Sequence, residues 1–157
     1  MNASQKELAG KLFDNGETDQ LSVLLLPFVE KKDPFALNLF ASFSQPNELI
    51  SDFDIRYIKQ KIEASELGSA DASYRMGVNY LNGDDVDQDL KAATKYFERA
   101  VSQGHSHTKF TFGFSLYYGV SGNKKNESRG LKLLKEAENE GIDLAKKELE
   151  LIRSCNT

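Results

Sequence analysis

Gly68-Ser-Ala-Asp-Ala-Ser-Tyr-Arg-Met-Gly-Val-Asn-Tyr-Leu-Asn-Gly83, joined by a short acidic link to Asp89-Leu-Lys-Ala-Ala-Thr-Lys-Tyr-Phe-Glu-Arg-Ala-Val-Ser-Gln-Gly104, is the stretch that decides the fold. Each half has the length of a short helix and closes on glycine, the residue that most readily takes the left-handed backbone of a helix end. The pattern then returns. Gly68, Gly104 and Gly141 stand 36 and 37 residues apart, while Gly77 with Gly113, Gly83 with Gly119 and Met76 with Phe112 are 36 apart. Ala100 and Ala137 differ by 37, which places one extra residue in the loop near Gly122-Asn123. Working backwards, Ala36, Phe40 and Ala41 each stand 36 before Ala72, Met76 and Gly77. Several position classes sharing one period mark tandem repeats. A small residue at Ala41, Gly77 and Gly113 suits a close crossing of paired helices. Each repeat is then one antiparallel helix pair that cannot bury its apolar face alone.

Helix starts recur along the whole chain. Ser4 with Glu7 reads as a capping box, Asp33-Pro34 pairs a capping carboxylate with proline at the first helical position, and Ser51 with Asp54 opens a further helix. Helices are expected at 4–14, 18–31, 34–43, 50–66, 70–82, 88–103, 106–118, 126–140 and 143–154. Strand signals are almost absent. The expected fold is all-α, a right-handed α-solenoid of antiparallel helix pairs with a C-terminal capping helix. It forms one repeat domain over 1–157, with degenerate repeats in 1–67, clear repeats at 68–104 and 105–141, and the cap and tail at 142–157. No apolar run reaches the length of a membrane span. The N-terminus lacks a signal-peptide core, so a cytoplasmic chain is expected. A single cysteine excludes a disulfide scaffold, and a net charge of −4 disfavours nucleic acid as a partner.

The two quoted segments resemble the Sel1-like repeat, a longer-looped relative of the tetratricopeptide repeats. The residues that fit are Ala70, Ala72, Met76, Gly77, Tyr80, Gly83, Asp89, Ala92, Ala93, Tyr96, Ala100 and Gly104. A looser copy runs through Thr108, Phe112, Gly113, Leu116, Gly119, Gly130, Leu133, Leu134, Ala137 and Gly141, departing at Ser128 and Arg129. In the N-terminal part, Lys32 stands where the pattern has glycine. The resemblance implies protein–protein recognition without catalysis, as an adaptor or scaffold. It also admits a bacterial immunity protein that neutralises a cognate toxin. The family's disulfide-rich hydrolase branch carries paired cysteines in each repeat, which this chain lacks.

Residues that carry chemistry elsewhere have plainer roles here. His105 and His107 have no metal-ligand partners at suitable spacing. Ser106 and Ser115 lack a nucleophile-elbow sequence. Cys155 reads as a loosely packed thiol. Asp85, Asp87 and Asp89 alternate like the first ligands of a calcium loop, but Leu90 and Tyr96 occupy the positions that need Gly and Glu. Asp87 or Asp89 is better read as a helix cap. No catalytic, cofactor or metal site is expected.

One helix carries more aromatic residues than packing requires: His107-Thr-Lys-Phe-Thr-Phe-Gly-Phe-Ser-Leu-Tyr-Tyr118. The register assigns Phe112 and Leu116 to the core, which leaves Phe110, Phe114, Tyr117 and Tyr118. Resemblance to tetratricopeptide-like solenoids implies that the first helix of each pair lines a concave, partner-binding face. That face would include Tyr74, Arg75, Val78 and Asn82 one repeat earlier and Asn38 and Ser42 before them. Aromatic rings and arginine are the usual anchors of interfaces.

Overall fold

The computed structural model describes residues 1–155, with the side chain of Cys155 outside the described residues, as is the expectation for its thiol. The described residues form nine helices and no strand: α1 (Ala3–Asp14), α2 (Thr18–Val29), α3 (Pro34–Phe40), α4 (Ile50–Glu66), α5 (Ala70–Asn82), α6 (Leu90–Ser102), α7 (Ser106–Tyr118), α8 (Glu127–Asn139) and α9 (Asp143–Cys155). This is an all-α solenoid of helical repeats. Two compact units divide the chain, Met1–Met76 and a second beginning at Gly77, so the division falls inside α5.

Backbone torsions carry the repeat into the N-terminal unit, where the side-chain pattern is weakest. Gly68, Gly104 and Gly141 have φ of 105°, 87° and 86°, and Lys32 holds the same turn with φ of 57°. A second series, Asn47, Gly83 and Gly119, has φ of 61°, 82° and 70°. Lysine and asparagine thus take a left-handed conformation that glycine adopts at far lower steric cost. The backbone keeps the 36-residue period where the residues depart from it.

In the first unit, α2 packs on α1 and α3, and α3 on α4. Its core contains Ala9, Leu12, Leu21, Leu25, Ala36, Phe40 and Phe43, with a second cluster of Leu37, Ala64 and Ala72. Three local expectations need correction. The capping box of α1 is formed by Asn2 and Gln5 rather than Ser4 and Glu7. Helix α4 begins at Ile50 behind Leu49, with no side-chain cap from Ser51. Helix α3 stops at Phe40 instead of reaching 43.

The early stop of α3 has an electrostatic counterpart. Terminal helix carbonyls have no partner inside the helix and attract positive charge. Arg56 Nη1 donates to Phe40 O and its Nη2 to Phe43 O, both at 2.8 Å, while Nη2 also reaches Glu48 Oε2 at 2.7 Å. Lys61, only 4% exposed, donates through Nζ to Asn38 O at 2.9 Å, Asn38 Oδ1 at 2.7 Å and Ser42 Oγ at 2.7 Å. Two cations from α4 therefore satisfy the end of a shortened α3. By the 36-residue register, Lys61 occupies the position held in the next repeat by buried Phe97.

In the second unit, α7 packs on α6 and α8, and α8 on α9. Asp89 caps α6 by accepting from Lys91 N and Ala92 N, and Asn126 caps α8 by accepting from Arg129 N. At the crossing of α7 and α8 backbone meets backbone. A Cβ on Gly130 would lie 2.7 Å from Tyr117 N and 2.8 Å from Gly113 O. At Gly77, it would lie 2.6 Å from the Phe97 ring. The small positions of the sequence pattern are thus points of close approach.

Candidate functional site

Helix α7 is apolar on nearly every side, and its neighbours determine which rings are covered. Phe112 and Leu116 are core, as the register requires. Phe110 and Tyr117 are half-buried, packed with Leu131 against Leu134, Leu149 and Ile152 of α8 and α9. Phe114 and Tyr118 remain 36% and 43% exposed. Spacing of four residues on one helix brings their rings together at 4.7 Å, and Phe110 continues the row with its centroid 6.4 Å from Phe114. Tyr117 meets Tyr118 edge-on at 4.9 Å.

One of the two exposed rings reaches α9. Tyr118 Oη donates to Glu148 Oε1 at 2.6 Å. Leu144, Glu148 and Leu151 lie on one face of α9 by their spacing of four and three. Leu144 is 55% exposed and Leu151 59%. Side-chain patterning alone did not single out these two leucines. The register could have done so, because Leu151 follows Phe114 by 37 residues and Leu144 follows His107 by 37. Ion pairing borders α7 as well: Lys109 bonds Glu140, and that contact, with a hydrogen bond from Ser106, holds the Glu140 carboxyl below its ordinary value.

The same register positions in earlier helices are more polar. Val78 is half-buried and Asn82 exposed, with Asn82 Nδ2 donating to Asp84 Oδ2 at 3.0 Å. In the first unit Tyr74 is half-buried and Arg75 exposed. Asn38 and Ser42 receive the Lys61 ammonium, so their polar atoms are engaged within that unit. Burial, with the positive charge of Arg75 adding and Asp71 opposing, pushes Lys61 down to about 8.

The groups weighed for catalysis serve the backbone. His105 caps α7, its Nδ1 accepting from Thr108 N at 3.1 Å. The Ser115 hydroxyl donates to Val120 O at 2.7 Å. Asp89 spends a carboxylate oxygen on its cap, and Asp85 Oδ2 receives Asn79 Nδ2 at 3.4 Å. Among the described residues there is no group of three His, Cys, Asp or Glu side chains placed to hold a metal ion, and no helix is long and apolar enough to cross a membrane.

Residues 70–105 and 113–142 match the Sel1 repeat. A Sel1 repeat protein from Oxalobacter formigenes is similar in structure, with 21% identity, a TM-score of 0.72, and coverage of 80% of this chain and 94% of that one. Helicobacter pylori cysteine-rich protein B has 22% identity and a TM-score of 0.61, with 90% of this chain and 95% of that one covered. This chain has a single cysteine, so the likeness lies in the fold. A protective antigen of uropathogenic Escherichia coli displaying an SLR fold has 20% identity and a TM-score of 0.73 over 98% of this chain, which spans 33% of its length. No curated protein matches the chain in sequence.

Proposed function

We propose that this protein, which belongs to the Sel1-like repeat family, is an adaptor that receives a protein or peptide on the concave face lined by the first helix of each pair. Repeats of this family are in general non-catalytic modules of protein–protein interaction. The observation that carries the reading is the exposed ring pair Phe114 and Tyr118, 4.7 Å apart, with Tyr118 bonded to Glu148 on the α9 face that also bears exposed Leu144 and Leu151. Large apolar side chains grouped on one surface mark interaction sites, whereas singly scattered ones do not. By register, the face in the second unit takes in Phe110, Tyr117, Val78 and Asn82; Tyr74, Arg75, Asn38 and Ser42 are the first unit's own candidates for contact.

Helix α9 has a second part in this reading. At the positions where α7 presents Phe110, Gly113, Leu116 and Tyr117 to the following helices, α9 presents exposed Lys147, Glu150, Arg153 and Ser154. A polar outer face is what a repeat array needs where stacking stops. The α9 helix therefore caps the repeats on one face and extends the binding surface on another.

The test is a pull-down with mass spectrometry from host lysate, comparing the parent with Phe114→Ala and Leu151→Ala. A partner should be retained by the parent and lost from both variants, since an interface anchor is worth about 2 kcal/mol or more. Thermal melts of the three proteins should agree closely. Partners captured equally by all three would refute the assignment of this face.

A further inference from the structure

We infer that the partner segment carries a lysine or arginine between two apolar side chains, the cation meeting Glu148 while the apolar groups pack on Phe114, Leu144 and Leu151. This rests on the binding face just described and adds the chemistry of its occupant. Glu148 lies between Leu144 and Leu151 on one face of α9 and is joined to the exposed Tyr118 by the 2.6 Å hydrogen bond to Oε1. Its neighbours three and four residues away on α9 are Leu144, Ala145, Leu151 and Ile152, all apolar. Some helical glutamates are neutralised within the chain: Glu7 pairs with Lys11, Glu98 with Arg129 and Glu127 with Lys125. Among the described residues, Glu148 has no such ion pair.

This arrangement is selective in sign. When a partner covers the cluster, water leaves and the local dielectric falls, so a cation opposite the carboxylate gains and an anion is repelled. The Tyr118 hydroxyl fixes the carboxylate through one oxygen and leaves the other available as an acceptor. Leu144 and Leu151 are two helical turns apart, about 10 Å. Apolar groups on either side of a single basic residue fit that spacing.

The test is selection from a random peptide phage library against the full chain, followed by anisotropy titration of the selected peptides, made synthetically. Glu148→Gln keeps an acceptor for Tyr118 and removes the charge, so it leaves the hydrogen bond and the fold intact. Selected peptides should carry Lys or Arg flanked by apolar residues. They should lose about tenfold in affinity on Glu148→Gln, the order expected for a charge-assisted hydrogen bond, and should weaken further with salt on the parent alone. Peptides that respond to Phe114→Ala but bind Glu148→Gln as tightly as the parent, or that lack a basic residue, overturn this inference and leave the binding face standing. Peptides indifferent to Phe114→Ala, or a selection that yields none, overturn both.

Discussion

Substituting alanine for glycine at two helical positions should have opposite effects on stability. At Gly130 the new methyl would lie 2.7 Å from Tyr117 N, 2.8 Å from Gly113 O and 2.8 Å from Tyr117 Cα. All three are backbone atoms, so no side-chain rotation relieves the contact and α7 and α8 must separate. Overpacking of this kind costs about 1–3 kcal/mol, and more where backbones touch. Contacts with backbone alone put Gly130 at the upper end of that range, about 3 kcal/mol; alanine's better helix propensity returns about 1 kcal/mol, which leaves a net loss of about 2 kcal/mol. At Gly10, inside α1, nothing lies within 4 Å of the new methyl, so the propensity gain stands alone. For a chain of this size each kcal/mol moves the melting temperature by about 2–4 °C. Gly130→Ala should therefore melt about 4–8 °C below the parent and Gly10→Ala about 2–4 °C above it, as followed by circular dichroism. Gly130→Ala melting at or above the parent would refute the close crossing and the repeat register built on it.

Three other outcomes follow from the geometry. Phe112→Ala, at a position only 2% exposed, should cost about 3–5 kcal/mol in urea unfolding, whereas the partly exposed Phe114 should cost much less; equal losses would show that Phe114 is core. Arg56→Met should destabilise by about 3–5 kcal/mol, because it strands the nearly buried Glu48 carboxylate and the carbonyls of Phe40 and Phe43; a loss near zero would mean those bonds are solvent-replaceable. Lys61, pushed down to about 8 from 10.5, releases its proton in the folded chain while the unfolded chain still holds it. The unfolded state then binds more protons between these values, so stability rises with pH across that window, by on the order of 3 kcal/mol. The rise should be absent in Lys61→Met, and a difference between the two proteins that stays flat from pH 7.5 to 10.5 would show that the ammonium is not buried as a cation.

Much of the fold was legible in the sequence because it depends on local, repeated requirements. Helix bounds follow from caps and from left-handed turns, and Gly68, Gly104 and Gly141 declare those turns openly. Ala72, Met76 and Phe112 read as core because the same position recurs at one period. Other features depend on which helix lies against which side chain, and neighbours distant in sequence decide that. Helix α3 runs as expected up to Phe40 and then ends where Arg56 and Lys61 of α4 take its carbonyls, a partnership no local pattern encodes. The aromatic excess of α7 was plain, but its division into half-covered Phe110 and Tyr117 and open Phe114 and Tyr118 arises from the position of α9. Leu144 and Leu151 look like ordinary buried leucines of an amphipathic helix. Only the packing of Ala145, Leu149 and Ile152 into the core turns them outward. Periodicity determines which residues share a face, and tertiary contact determines which face is left to a partner.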